Sequence, residues 1–510
     1  MELTKRKKSV YNIVSGLLGQ LVTMILGIAI PRLFLMSFGS EMNGFLNSIN
    51  QIFVYFALLE SGVGAASLQA LYGPVGKDDK KQICEILSAT ANYYRKTGMF
   101  YFIAVFALAI LYPLVVNSEI SPLTMTIIIL MNGLPGAISY FFQGKYLILL
   151  QAEGKSYINT SLTSIISTII SIAKIVMLLL GFNIIAIQSV YLILNLLKVV
   201  YFWLYLRKNY RWVNLQEKPD FIAINQKNSV FIIQICDLVF RNTDTVILSI
   251  FCNLKVVSIY SIYNLLFSMI TTILEHISHG FSFALGQLFN TNKERYLKFR
   301  DAYETYRMAL VFAVSSIVNI FILPFIKLYT DGVNDTNYMS FWLPKLFIFY
   351  FLLSAIRANC AADINYAQHF RLTQTRCIIE ALINIVVSIT LVNICGIYGV
   401  LLGTITALFY RANDMIIYAN RKILNRSPWI TYKKVVSNMA TFTIITYITS
   451  LFEWKLDSYI SIFLWAAISG LSILSIYFVV ASLVDKESFK VLVEYIRGFI
   501  RKETFNGEKI

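Results

Sequence analysis

An all-α polytopic membrane protein of about fourteen transmembrane helices is the fold class that the sequence predicts, and three observations predict it. Of 510 residues, 57% are hydrophobic and only 14% charged, with a mean hydropathy of +0.65, far from the mixture of a soluble domain. The apolar residues gather into runs of about 20 or more, the length that crosses a hydrocarbon core. Lys and Arg fall in alternate connections between those runs, as the positive-inside rule requires.

The first run, 11–34, follows Lys5, Arg6, Lys7 and Lys8. A basic start before an apolar run is also how a secretory signal begins. This run is long enough to span and lacks a small-residue cleavage pattern, so it is read as the first helix. The others follow at 43–71, 97–116, 123–148, 157–180, 184–206, 228–251, 257–288, 307–328, 341–365, 373–395, 397–419, 436–452 and 458–482. Lys77, Lys80 and Lys81, Lys145 and Lys155, Arg207 to Lys218, Lys293 to Arg300, Arg371 and Arg376, Arg421 to Lys434 and the tail from Lys486 all share the side of the N-terminus. Lys255 and Lys455 fall opposite. Both termini are therefore expected in the cytoplasm, and the net charge of +16 is a topology signal. Nucleic acid is not an expected partner, because no basic, aromatic-interleaved soluble domain exists to bind it.

The connections expected outside are short, the longest being "YTDGVNDTNYMS" (Tyr329–Ser340), so none carries a soluble catalytic domain. The cytoplasmic connections 73–96 and 289–306 read as amphipathic helices lying on the membrane, with basic residues toward lipid headgroups. Six scattered cysteines without metal-ligand spacing read as small buried hydrophobes.

The chain also repeats itself weakly. At an offset of about 214 residues, "FGSEMNGFLNSINQIF" (Phe38–Phe53) lies over "CNLKVVSIYSIYNLLF" (Cys252–Phe267), bringing Asn50 onto Asn264 and Gln20 onto Gln234. With one residue inserted, "LLLGFNIIAI" (Leu178–Ile187) lies over "VNICGIYGVLL" (Val392–Leu402). The expected organisation is an N-lobe of six helices over 1–206, a cytoplasmic linker over 207–227, and a C-lobe of six helices over 228–420. Two further helices over 421–484 and a cytoplasmic tail over 485–510 complete it. Six being even, the lobes form a parallel repeat, an arrangement in which transporters place the substrate between the halves.

Within the seventh run, Gln234, Asp237, Arg241, Asp244 and Thr245 are spaced by three, four, three and one, which sets them on one helical stripe. Arg241 reaches Asp237 at i−4 and Asp244 at i+3. The stripe is either a charge-paired packing face or the wall of an aqueous cavity between the halves, since intramembrane ionisable groups usually mark pathways. Gly16, Gln20, Thr23 and Gly27 in the first run, Asn43, Asn47 and Asn50 in the second, and Ser261 and Asn264 in the eighth form comparable stripes. Close helix packing through small residues and amides is the alternative.

Glu60, Lys174, Lys198, Glu275, Arg357, Asp363, Glu380, Arg411 and Asp414 are further charges inside runs. Arg411 and Asp414, three apart, read as a structural pair. Arg357 has no acid within one turn of its own helix and is the best candidate for an anion-binding cation, its planar guanidinium suiting phosphate. Arg32, after Pro31, is a second candidate, with interfacial snorkelling as its alternative. Glu275, His276 and His279 could form a proton relay or a metal pair, but two histidines without a clear third ligand read as packing or inner-vestibule hydrogen bonding, so no metal is expected, and no organic cofactor. Gly133, Pro135 and Gly136 inside the fourth run read as a kink or bending point.

The chain resembles the polysaccharide and O-antigen flippases of the multidrug/oligosaccharidyl-lipid/polysaccharide exporter superfamily. The residues that carry the resemblance are "PRLFLMSFGSEMNGFLNSINQIFVYFALLESGVGAAS" (Pro31–Ser67), "FRNTDTVILSIFCNLKVVSIYSIYN" (Phe240–Asn264) and "LQAEGKSYI" (Leu150–Ile158), in an order and spacing that cover essentially the whole chain. It implies a V-shaped, MATE-like pair of lobes around a cavity lined by the first, second, seventh and eighth helices. It also implies export of an undecaprenyl-diphosphate-linked oligosaccharide to the outer leaflet of a bacterial cytoplasmic membrane by alternating access. The implied partners are that lipid-linked oligosaccharide, membrane lipids and other polysaccharide assembly proteins. On this reading Arg357, Arg241, Arg32, Gln20, Asn47, Asn50, Gln234 and Asn264 bind substrate, while Asp237, Asp244 and Glu60 take a coupling proton or monovalent cation. The chain also looks like the lipid II flippases, whose last two helices form a groove for the lipid tail. Those carry more arginines near the first two helices than the single Arg32 here, and Glu60 adds an acid. A drug or cation antiporter of the same superfamily is the first rival. A membrane glycan polymerase, ligase or polyprenyl-dependent glycosyltransferase is the second, opposed by the short outer connections.

Overall fold

The computed structural model describes the backbone of residues 5–221, 229–452, 454 and 456–501; side chains of 5–24, 57–63, 65, 157, 229–231, 234, 279–280, 283, 496 and 498–501 fall outside the description. Helices account for nearly all of it: α1 Lys5–Gly76, α2 Lys80–Val115, α3 Pro122–Phe142, α4 Gly144–Ala152, α5 Ser156–Leu179, α6 Ile184–Asn209, α7 Ser229–Phe251 and α8 Leu254–Thr291. There follow α9 Lys293–Tyr329, α10 Trp342–Tyr366, α11 Phe370–Cys395, α12 Ile397–Tyr418, a π turn at Ala419–Ile423, α13 Trp429–Ser450, α14 Tyr459–Val484 and α15 Lys486–Arg501. No strand occurs among the described residues. Eleven described stretches are long and apolar enough to cross a membrane, which makes this a multi-pass membrane protein. Three of the expected spans are not counted separately. α1 joins two of them, α7 carries three charges, and α13 opens on Lys433 and Lys434.

The chain divides into two compact units, Met1–Ser261 with Gly332–Thr336, and Ile262–Asp331 with Asn337–Ile510. In the first, α1 departs from helical geometry at Gly39, with φ 77° and ψ 178°. A left-handed φ suits glycine. The helix restarts at Ser40, whose backbone N donates to Asp335 Oδ2 at 2.6 Å and whose hydroxyl donates to Oδ1 at 2.5 Å. A carboxylate at a restarted helix N-terminus satisfies an orphan N–H and complements the helix dipole. The repeat-equivalent place is the break at Cys252–Asn253 between α7 and α8.

The two connections expected to lie on the membrane are instead the first turns of α2 and α9. Ile83, Leu87 and Tyr94 of α2 are buried against Leu149, Leu150 and Tyr210, and Tyr296, Arg300 and Glu304 of α9 are buried too. An amphipathic face must be covered, and here protein covers it instead of lipid. Gly133, Pro135 and Gly136 lie within the continuous helix α3. Cβ atoms there would come within 2.6 Å of Val105 and of the Tyr101 hydroxyl, so the glycines let α2 and α3 approach closely. The interruption comes later, at Gln143, where α3 gives way to α4. Cys84, Cys360 and Cys377 are buried as expected, whereas Cys236 and Cys252 are half-buried and Cys395 is exposed. In the stretch expected to be a simple tail, Lys486–Arg501 forms α15, whose Ser488 lies 3.4 Å from Thr305 of α9.

Candidate functional site

The polar stripes of the first unit sort into a packing layer and an open pair. In the packing layer, Asn43 Nδ2 donates to Ser258 Oγ at 2.7 Å and Asn47 Nδ2 donates to the Asn43 carbonyl at 2.8 Å. The hydroxyls of Tyr55 and Thr243 meet at 2.7 Å, tying α1 to α7. Asp244 is buried and accepts from the Tyr260 hydroxyl at 3.0 Å. Gly44 makes this layer possible, because a Cβ there would lie 1.7 Å from the carbonyl oxygen of Leu254.

Arg241 and Asp237 form the open pair. Nε of Arg241 donates to Asp237 Oδ2 at 2.9 Å, and the two side chains are 55% and 42% exposed. Exposed charges on a helix of a membrane protein are tolerated where they meet water or headgroups, because hydrocarbon would cost each of them several kcal/mol (about 3 on insertion scales). Asn50 is also exposed, and Asn47, Asn264 and Arg32 are half-buried. Gln20, Glu60 and Gln234, together with His279, are among the side chains outside the description. Lys174 is accounted for by aromatic faces, 5.0 Å from the Tyr191 ring and 5.9 Å from that of Phe34.

In the second unit Arg357 belongs to a charge cluster. Its Nη1 donates to Glu380 of α11, and Glu380 Oε2 also lies 3.3 Å from Arg411 Nε. Arg411 Nη1 and Arg376 Nη1 reach the two oxygens of Asp414 at 2.7 and 2.6 Å. Arg411 and Asp414 pair as their spacing suggests. The acid for Arg357 comes from the neighbouring helix, which a search along its own helix could not find. Glu380, an unmatched acid on the next run, was the available signal. Among the described residues three guanidiniums, Arg357, Arg376 and Arg411, thus meet the carboxylates of Glu380 and Asp414.

A second and larger network was not legible in the sequence. Arg300 reaches Glu304 at 2.6 Å and Asp363 at 2.8 Å; Tyr296 also donates to Asp363. Arg426 reaches Asp301 at 2.6 Å, while Lys434 reaches Glu304 at 3.2 Å and Asp485 at 3.4 Å. In the sequence Arg300, Arg426 and Lys434 carry only the topology signal. The network packs α9 against α10, α13 and the start of α15. At its edge, burial pushes the Asp485 carboxyl up, but hydrogen bonds from Ser488 Oγ at 2.7 Å and Ser488 N at 3.1 Å, with Lys434 and Thr305, outweigh it and hold it below the usual value. A depressed carboxylate stabilises the fold above its unfolded pKa and ceases to do so as pH falls through its folded one. Asp485→Asn is therefore expected to lower the thermal midpoint near neutral pH and to narrow its gap from wild type as the solution is acidified below the usual aspartate range.

No family model and no curated protein sequence matches the chain. Its helices superpose well on a solved flippase. In fold the chain is similar to the lipid II flippase MurJ. With MurJ in an inward closed conformation the TM-score is 0.66 at 15% identity, over 92% of this chain and 98% of that one. An inward-facing multidrug resistance MATE transporter of the MOP superfamily gives 0.64 at 13% identity, over 79% and 95%. A MATE in the bent conformation gives 0.51 at 14% identity, over 81% and 95%. The likeness to MurJ thus takes in more of the chain than the likeness to either MATE transporter, and at these identities it is a likeness of fold.

Proposed function

We propose that this protein is a transporter, not an enzyme, and that it flips an undecaprenyl-diphosphate-linked oligosaccharide from the cytoplasmic to the outer leaflet of a bacterial inner membrane by alternating access. The observation that carries this reading is the Arg241–Asp237 pair, exposed on a helix of a membrane protein, which asks for a polar path beside α7. A sugar too polar for hydrocarbon needs such a path, while its polyprenyl chain stays in lipid. The fold similarity to a lipid II flippase over nearly the whole chain supports a lipid-linked substrate.

Arg241 and Arg357, with Arg32, would meet the diphosphate. The amides Asn47, Asn50 and Asn264, with Gln20 and Gln234, would hydrogen-bond the sugar. Asp237, Asp244 and Glu60 would take the coupling proton or monovalent cation. The nearly equal TM-score to a multidrug resistance MATE transporter keeps a drug or cation antiporter as the second reading.

The test is display of surface glycan in cells that depend on this protein. Arg241→Ala, expressed at the wild-type level, should lower display about tenfold or more, as the loss of a charged hydrogen bond worth about 1.5–3 kcal/mol implies. Arg241→Lys should retain part of it. Full display with Arg241→Ala removes Arg241 from substrate contact. Ion-dependent efflux of hydrophobic cations from vesicles, without translocation of glycan-lipid, replaces the flippase reading with the antiporter.

A further inference from the structure

α8, the start of α9 and α15 border a cavity of 730 Å³ within the second unit, inside the range of about 300–1,000 Å³ common for small-molecule sites. Leu285, Leu310 and Leu492 contribute apolar walls, and Ile277 and Phe281 stand about half exposed at the rim. Exposed apolar rims suit entry from hydrocarbon better than entry from water.

Into this surround α9 brings Arg307. Its Nε donates to Ser278 Oγ at 3.1 Å, and its Nη1 donates to the Ala355 carbonyl at 2.9 Å and to Asn359 Oδ1 at 2.6 Å. Nη2 donates to no described residue. Among the described residues no carboxylate forms an ion pair with Arg307; Glu275 and Glu304 act on it only from farther away. Three neutral acceptors fix the guanidinium without neutralising it, so a full positive charge is held with one edge left over. Arg307 is also the first residue of the apolar run 307–328, where the charged segment 293–306 gives way to hydrocarbon. Tyr303 and Tyr306 line the cavity beside it, as aromatic residues do at headgroup depth.

A small water-soluble anion matches the charge and not the walls; an amphiphile matches both. We propose that this cavity binds a phosphate-bearing lipid of the surrounding bilayer, its phosphate on Arg307 and one acyl chain between α8, α9 and α15. The bilayer source follows from the depth of Arg307 and the apolar rim, and the site stands independently of which substrate is transported.

The purified full-length protein, delipidated in detergent and titrated with dioleoylphosphatidylglycerol, is read by native mass spectrometry. Wild type should retain one lipid. R307Q, and A284W, which fills the cavity without touching the charge, should each weaken binding about tenfold, while R307K retains it. Dioleoylglycerol, which has the chains and no phosphate, and inorganic phosphate, which has no chain, should fail to compete. Wild-type binding by both R307Q and A284W, or equal competition by dioleoylglycerol, overturns the site. Displacement by equimolar undecaprenyl phosphate overturns the bilayer source and makes the cavity part of a substrate path. The readout needs no transport, so this site and the flippase reading can fail separately.

Discussion

Glu304→Ala is expected to destabilise the protein by about 3–5 kcal/mol, the cost of breaking a buried ion pair and leaving its partner's charge uncompensated. Glu304 is 0% exposed and its carboxylate meets both Arg300 and Lys434, at 2.6 and 3.2 Å, themselves almost entirely buried. Removing it leaves Arg300 with Asp363 and Lys434 with Asp485, and the buried network short of one negative charge. Unfolding in mixed micelles, followed by tryptophan fluorescence against denaturant, measures the loss. Lys298→Ala is the control: it removes a pair with Glu294 whose side chains are 63% and 82% exposed, and such pairs contribute about 1 kcal/mol or less. Equal effects of the two changes would show that the buried network does not hold α9 in place. The sign reverses if the whole network is replaced by apolar residues of similar volume, since charges that no longer have to be desolvated cost nothing.

Gly44→Ala should be nearly as damaging, although it adds one methyl group. That methyl would overlap the Leu254 carbonyl oxygen, which is backbone and cannot swing aside, so α1 and α8 must separate and stretch the Asn43–Ser258 hydrogen bond. Overpacking of this kind costs about 1–3 kcal/mol, occasionally more. Gly73→Ala, on the same helix with nothing within 4 Å of the new Cβ, should be close to neutral. A shared thermal midpoint for Gly44→Ala and wild type would mean that the close approach of α1 to α8 is dispensable.

Much of this architecture is legible because a run of apolar residues long enough to span has few alternatives to a membrane helix. What the runs do not say is who covers an amphipathic face. The starts of α2 and α9 carry the pattern of a surface helix, yet Leu87 and Tyr296 meet protein. The gap between the runs 11–34 and 43–71 predicts a connection, whereas a single left-handed residue, Gly39, suffices to divide α1. At the candidate site the division is similar. The Arg241–Asp237 and Arg411–Asp414 pairs are visible because partners three or four apart share a helix face. Arg357–Glu380 and the Arg300 network join different helices, so no spacing announces them. Arg307 sits where a charged segment meets an apolar run, and a residue at such a boundary is easily counted as the end of a connection.

The network around Glu304 also has a consequence in time. Glu304 and Lys434 are 130 residues apart, and at about 5–20 residues per second the ribosome needs on the order of 10 s to make the intervening chain. Throughout that interval α9 already exists with Asp301 and Glu304, while two of the cations that meet them, Arg426 and Lys434, have yet to be made. The ion pairs of its first turns are therefore completed only when Arg426 and Lys434 emerge, so that late synthesis of α13 acts as the latch on a helix threaded much earlier.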